Sequence, residues 1–318
     1  MSKLSLAVDV AGLRIRNPVM NAAGVLGMSP PILKRVYDSG AGAVVTKSIG
    51  PAPRTGHGNP TLVQLSCGAL NAMGLPNPGA DYYVDEIRKL KVMGVPTVAS
   101  FFGGSVQEFA EVADKLTGAG ADALELNASC PNVAEELGML AADACNVEKV
   151  TAAVKDETDL PVFVKLSPNV TDIKAVARAA EQGGADAITA VNTLLGIAID
   201  VGFRRPVLTN VTGGLSGPAA KPVALRCVWE VSQAVEVPVI GCGGVATWED
   251  AVEYLLAGAS AVQVGTAVTA HGFKVFGEVA EGLERYMAEN GFTRVEEVVG
   301  LAHEAGRDQK SKTDRCRV

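Results

Sequence analysis

Residues 106–132 read VQEFAEVADKLTGAGADALELNASCPN, and this stretch carries the pattern from which the fold is inferred. In Val106–Ala119 the apolar residues recur every three or four positions, the spacing of an amphipathic helix. Gly120-Ala121 closes it, glycine being the residue that takes a left-handed C-cap at least cost. Ala123–Asn127 is then a short apolar run of strand length, and Ala128-Ser129-Cys130-Pro131-Asn132 is a polar turn past its end.

The same theme recurs on both sides. Strand-like runs fall at Val19–Ala23, Ala43–Lys47, Thr97–Phe101, Ala123–Asn127, Val162–Leu166, Ala187–Val191, Val237–Gly241 and Ala261–Gly265. Helical stretches such as Pro31–Ser39, Ala175–Gln182, Ala220–Ala234 and Trp248–Leu256 lie between them, several closed by Gly40-Ala41, Gly184-Ala185 or Gly258-Ala259. Strands alternating with helices imply a parallel sheet. Eight units point to an α/β fold closed as a (β/α)8 TIM barrel, with an open doubly wound sheet as the alternative. Leu6–Asn17 reads as a small hairpin turning at Ala11-Gly12, laid across the barrel bottom. Asp200–Gly217 is too long for a plain βα loop and is expected to insert a strand pair near the top. Residues 1–306 are expected to form one domain, and 307–318 a polar, disordered tail.

Composition narrows the function. The chain has 318 residues, 48% of them hydrophobic but only 5% aromatic, so aliphatic side chains must fill a large core. A net charge of −7 argues against a nucleic-acid footprint. No apolar run reaches the roughly 20 residues of a membrane span, and 1–9 lacks a signal peptide's apolar centre, so a cytoplasmic protein is expected. The six cysteines, at 67, 130, 145, 227, 242 and 316, form no CxxC pair, which argues against a metal or iron–sulfur site in this chain.

Polar residues gather where the strands end: Lys47, Ser100, Asn127, Lys165, Asn192, Gly243-Gly244 and Gly265-Thr266. That is the face on which barrel active sites lie. Gly241-Cys242-Gly243-Gly244 and Gly265-Thr266 suit a phosphate cradle, since glycine lets backbone N–H groups approach an anion; ordinary turn glycines are the plainer explanation. Gly213–Gly217 is placed to close over the same group. Cys130, flanked by Asn127 and Asn132, suits a general base beside amides that match a ring bearing C=O and N–H groups, against the simpler reading of a packed thiol in a turn. Lys47 and Lys165 end apolar runs, where a charge needs a partner, either an anionic ligand or a structural ion pair. Cys145 and Cys227 are expected to pack in helices, and His57, His271 and His303 to be surface or packing residues.

These residues give the chain a resemblance to the class 1 dihydroorotate dehydrogenases, from Leu4 to about Gly300. The markers are Asn71-Ala72-Met73-Gly74-Leu75-Pro76-Asn77, Asn127–Asn132, Val164–Asn169, Val191-Asn192-Thr193, Gly213–Gly217 and Gly241–Gly244. The resemblance implies one FMN per chain and oxidation of (S)-dihydroorotate to orotate in pyrimidine biosynthesis. Cys130 would take the C5 proton while hydride leaves C6 for the flavin. Lys47, Asn71, Ala72, Met73, Gly74, Leu75, Asn127, Asn132, Asn192 and Thr193 match substrate positions. Ala23, Lys47, Ser48, Ser100, Asn127, Lys165, Val191, Gly217, Gly243, Gly244, Gly265 and Thr266 match flavin positions, Lys165 supporting negative charge on the reduced ring.

Asn210–Ala219 and Asn77-Pro78-Gly79 resemble the B type, which implies a homodimer joined to a partner subunit carrying FAD and a [2Fe–2S] cluster, with NAD as final acceptor. Ser100, Met20–Gly24 and Asp81-Tyr82-Tyr83 lean toward the fumarate-using A type. A dihydropyrimidine dehydrogenase-like flavin domain usually has histidine where this chain has Asn132. A dihydrouridine synthase needs a tRNA-binding module, which fits an acidic chain poorly. Pro131–Leu140 is expected to act as a lid over Cys130.

Overall fold

The computed structural model describes residues 4–129 and 143–304. Cys130, Asn132, the lid expected at Pro131–Leu140 and the tail expected at 307–318 lie outside the described residues.

The elements run as follows: β1 (Val8–Val10), β2 (Leu13–Ile15), β3 (Val19–Asn21), α1 (Pro30–Asp38), β4 (Val44–Val45), β5 (Leu62–Leu65), β6 (Gly68–Asn71), α2 (Ala80–Val92), β7 (Thr97–Phe101), α3 (Val106–Gly118), β8 (Ala123–Asn127) and α4 (Ala144–Asp156). Then come β9 (Val162–Leu166), α5 (Ile173–Gln182), β10 (Ala187–Ala190), β11 (Leu194–Ile197), β12 (Ile199–Asp200), β13 (Arg205–Pro206), β14 (Thr212–Ser216), α6 (Lys221–Val231), β15 (Val239–Cys242), α7 (Trp248–Leu256), β16 (Ala259–Val264), α8 (Val268–His271) and α9 (Val275–Asn290).

Eight strands form the parallel sheet β3-β16-β15-β10-β9-β8-β7-β4, and a parallel bridge from Met20 to Ala43 joins its two edges. The open doubly wound alternative is therefore excluded. The strands are buried on both faces, because helices cover the outside and side chains fill the inside. Side-chain caps start several of those helices: Ser105 for α3, Asp172 for α5, and Thr247 in a capping box with Asp250 for α7. Gly120 and Gly184 follow helix ends with φ of 90° and 91°, as the Gly-Ala pairs predict.

The β1–β2 hairpin closes the amino-terminal end of the barrel. Its Val8, Val10, Leu13 and Ile15 are buried, and Arg16 beyond it donates to Ala41 O just ahead of β4. The insertion at the other end is larger than one strand pair. β12 and β13 do pair, beginning one residue ahead of the expected Asp200–Gly217, but β14 belongs to a four-stranded antiparallel sheet, β11-β14-β6-β5. Half of that sheet comes from Leu62–Asn71, more than a hundred residues away in sequence, so no local pattern could announce it.

Candidate active site

Alternation along the strands decides which residues face the barrel interior. In register, Asn127 lies opposite Lys165, Lys165 opposite Thr189, and Glu125 opposite Ser100. Glu125 is fully buried; its Oε2 accepts from Thr189 Oγ1 at 3.0 Å and from Gln263 Nε2 at 2.5 Å. Gln263 turns its Oε1 to Lys165 Nζ at 2.7 Å, and Glu125 Oε1 stands 3.6 Å from the same ammonium. The amide orientation of Gln263 is fixed by its neighbours, since lysine only donates and a carboxylate only accepts. Burial opposes the charge of Lys165, but Cys242 and Glu125 outweigh it and hold the ammonium above its ordinary pKa. Burial pushes the Cys242 thiol up while Lys165 beside it pulls the other way, and Glu125 is the carboxylate that faces the same ammonium, at 3.6 Å.

Lys47 is the contrary case. It is 8% exposed, and burial lowers its pKa. Among the described residues no carboxylate pairs with its ammonium. Beside it an amide and hydroxyl lattice spans the strand ends. Ser48 Oγ and Ser100 Oγ are 3.0 Å apart, and Asn127 Nδ2 donates to Ser48 Oγ at 3.4 Å. Asn192 Nδ2 donates to Asn127 Oδ1 at 3.2 Å, while Asn192 Oδ1 accepts from Thr193 N at 2.8 Å. Ser129, the residue before Cys130, donates through Oγ to Lys165 O at 3.0 Å.

The loops after β14, β15 and β16 converge. Gly217 has φ of 91°, and a Cβ there would stand 2.8 Å from Gly68 Cα and 3.4 Å from Thr266 Cγ2. A Cβ on Gly244, at φ 73°, would stand 2.8 Å from Gly217 O. Thr266 Oγ1 donates to Ser216 Oγ at 2.7 Å. The three loops thus meet with no room for a side chain at Gly217, Gly243 or Gly244, an arrangement of exposed backbone chemically suited to a phosphate.

The Asn71–Leu75 segment is held beside Asn192–Thr193. Asn71 Nδ2 donates to Gly214 O at 3.3 Å, and a Cβ on Gly214 would lie on Thr193 Oγ1. Leu75 takes φ of 55°, unusual for leucine, and the loop is pinned around it. Asn77 Nδ2 donates to Leu75 O, Asn77 Oδ1 accepts from Gly50 N and Gly79 N, and Arg54 Nε donates to Gly74 O. His57 N donates to Met73 O, and His57 Nδ1 lies 3.2 Å from Ala72 O. His57 is therefore a loop-positioning residue, not merely surface or packing.

Ala23 and Val191 are buried at 4% and 2%, and Val191 N donates to Cys242 O. Cys145 is exposed in the first turn of α4, where packing was expected, while Cys227 is buried as expected. Sequence reading missed Glu125, Gln263 and Thr189. The available signal was a carboxylate inside the apolar run Ala123–Asn127, which demands a buried partner.

A family model described as dihydroorotate dehydrogenase matches residues 5–287. The chain belongs to the dihydroorotate dehydrogenase family. A Pyrococcus abyssi protein named dihydroorotate dehydrogenase B (NAD(+)), catalytic subunit, is 52% identical over 93% of this chain and 99% of its own length. Proteins of the same name from Methanosarcina acetivorans and Methanothermobacter thermautotrophicus are 52% and 46% identical, over 93% and 94% of this chain and 96% and 99% of their own lengths. As a family member the chain is of the B type, not the A type toward which Ser100, Met20–Gly24 and Asp81–Tyr83 leaned. Asp81 is exposed on α2 and pairs with Lys115 at 2.6 Å, while Tyr83 packs into the core.

Proposed function

We propose that this chain is the FMN-binding catalytic subunit of an NAD-linked dihydroorotate dehydrogenase, oxidising (S)-dihydroorotate to orotate. The observation that carries the reading is Lys47: a buried ammonium without a carboxylate partner among the described residues, beside a lattice of asparagines. Dihydroorotate has the complementary chemistry, a carboxylate on a ring of amide groups.

The residues fit FMN. The loops of Gly217, Gly243, Gly244, Gly265 and Thr266 would offer backbone N–H groups to a phosphate, with Gly217, Gly243 and Gly244 packed too closely on neighbouring protein atoms to carry a side chain, and Lys165 offers a cation faced by Glu125. Ala23, Ser48, Ser100, Asn127 and Val191 would line the remaining flavin site. Bound FMN supplies the two-electron acceptor for the substrate's hydride. Lys47 would hold the substrate carboxylate, with Asn71, Ala72, Met73, Gly74, Leu75, Asn127, Asn132, Asn192 and Thr193 orienting the ring. Cys130 would act as general base toward C5, a role that rests on its sequence setting.

Electrons would pass to NAD through a second subunit carrying FAD and [2Fe–2S]; the relatives' designation as catalytic subunits supports such a partner. A homodimer core for that assembly is supported by Leu195, Ile197, Ile199, Val201 and Phe203, all at least half exposed along β11, β12 and the turn after it. A cytoplasmic setting accords with Cys67, Cys145, Cys227 and Cys242 being free thiols. The test is anaerobic bleaching of the bound flavin by dihydroorotate, followed by offering NAD or fumarate with and without the partner. Bleaching with NAD reduction only in the partner's presence is the expected result. A protein that dihydroorotate leaves yellow, or one that turns over rapidly with fumarate alone, would refute it.

A further inference from the structure

Glu125, Gln263 and Thr189 belong neither to the glycine cradle nor to the asparagine lattice, yet they are 0%, 1% and 0% exposed. A carboxylate so buried is heavily penalised unless charge and hydrogen bonds compensate it. Oε2 of Glu125 has two donors, but Oε1 has no hydrogen-bond partner among the described residues and faces Lys165 Nζ at 3.6 Å. Gln263 bridges the gap, donating to Glu125 and accepting from Lys165. Four strands, β8, β9, β10 and β16, are therefore tied together by one buried cation and its anion. From β15, among the described residues, the titratable neighbour is Cys242, whose thiol burial pushes up and Lys165 pulls down. Gln263 and Thr189 do not titrate, so among the described residues Glu125 and Cys242 are the groups that can set the charge of Lys165, and Glu125 is the carboxylate.

We propose that Glu125, through Gln263, is a positioning residue that keeps Lys165 protonated in both redox states of the bound flavin, so that reduction takes up one proton per electron pair. The inference rests on the FMN reading given above. Two electrons and one proton delivered to bound FMN leave one net negative charge, which the Lys165 ammonium balances without further uptake. A neutral Lys165 amine would instead draw a second proton onto Nζ. A desolvated lysine with no anion beside it would be that neutral amine over part of the working range.

The test is a redox titration of the FMN-loaded protein, reading the flavin midpoint potential from mildly acid to mildly alkaline pH. Its slope against pH counts protons per electron pair. The wild-type protein is expected to show one throughout. Glu125→Gln should pass from one to two as pH rises, with oxidised FMN still bound because the glycine cradle is untouched. The double variant E125Q/Q263E exchanges carboxylate and amide, puts the anion on the residue already touching Nζ, and should return the count to one. If Glu125→Gln cannot be loaded with flavin, the double variant decides alone. One proton throughout in Glu125→Gln, or two in the double variant, overturns the inference. A wild-type chain that binds no FMN overturns the cofactor reading as well, which separates the two failures.

Discussion

Lys47 and Lys165 reach the same mouth of the barrel with opposite arrangements. Lys165 is completed from inside: Gln263 at 2.7 Å and Glu125 at 3.6 Å hold its charge before any ligand arrives. Lys47 is equally enclosed, but the described residues offer it no anion, and burial pulls its pKa down. The contrast separates a resident half of the site from a half built for exchange. A cofactor that stays in place can be met by a cation with a permanent counter-charge. A substrate that comes and goes is better met by a cation whose unpaired state is costly, because binding relieves that cost.

The largest effect expected on the exchanging half is chemical. Cys130→Ser should slow flavin reduction by dihydroorotate about 10²–10⁴-fold, the usual contribution of a general base. Reduction by dithionite and the flavin midpoint potential should stay as in the wild type, since Lys165 is untouched. Stopped-flow absorbance checks this, and an unchanged rate with dihydroorotate removes Cys130 from the mechanism.

Stability should distinguish the lysines next. Lys165→Met leaves Glu125 buried without its cation, a change that typically costs about 3–5 kcal/mol. Lys47→Met removes an unpaired buried charge and should leave the ligand-free protein as stable as before, or more so. Their pH dependences run in opposite directions. Lys47 has a folded pKa below its ordinary 10.5, so between the two values the unfolded chain holds more protons and stability rises with pH. Lys165 has a folded pKa above 10.5, so its contribution is complete below that pH and is lost as pH climbs through the raised value. Denaturant titrations of both variants against pH would settle it, and equal losses at neutral pH would abolish the distinction.

Ligand affinity should separate them in the other sense. Lys47→Met should weaken orotate by about 2–5 kcal/mol, a factor of about 30 or more, while FMN stays bound. In the wild type, orotate affinity should be flat at lower pH and fall as pH rises past the lowered pKa of Lys47. Isothermal titration gives both numbers; orotate binding indifferent to Lys47 would place the substrate elsewhere.

What could be read in advance follows the range of the forces involved. Strands β7, β8 and β9 match the sequence reading at both ends because each is a β-branched or aliphatic run between clear turn signals. Lys47, Asn127, Lys165 and Asn192 were legible because polar groups at the ends of apolar runs are locally anomalous. The β5–β6 contribution to the upper sheet was not, because its partner β14 is set by a pairing across the whole barrel. Gln263 was hidden in the same way. Nothing within Ala259–Val264 says that its amide will meet a carboxylate from β8.

The smallest effect tests whether the loop around Asn71–Leu75 serves the exchanging half alone. Two constraints tie it to that side: Asn77 accepts from Gly50, three residues after Lys47, and His57 holds Met73 and Ala72 through its backbone N–H and its ring. The ring also packs on Gly74, where a Cβ would come within 2.8 Å of it, so replacement by another flat side chain should keep the loop's shape while deleting one hydrogen bond. A net contribution of about 1 kcal/mol is typical of such a bond. His57→Phe should therefore weaken orotate about fivefold, through a loop that spends more time away from Asn192 and Thr193. FMN affinity and midpoint potential should not move, because the glycine cradle and the Lys165 pair have no bond to His57. A parallel loss of orotate and FMN would mean that the two halves share this loop, and the division drawn from the lysines would have to be redrawn around it.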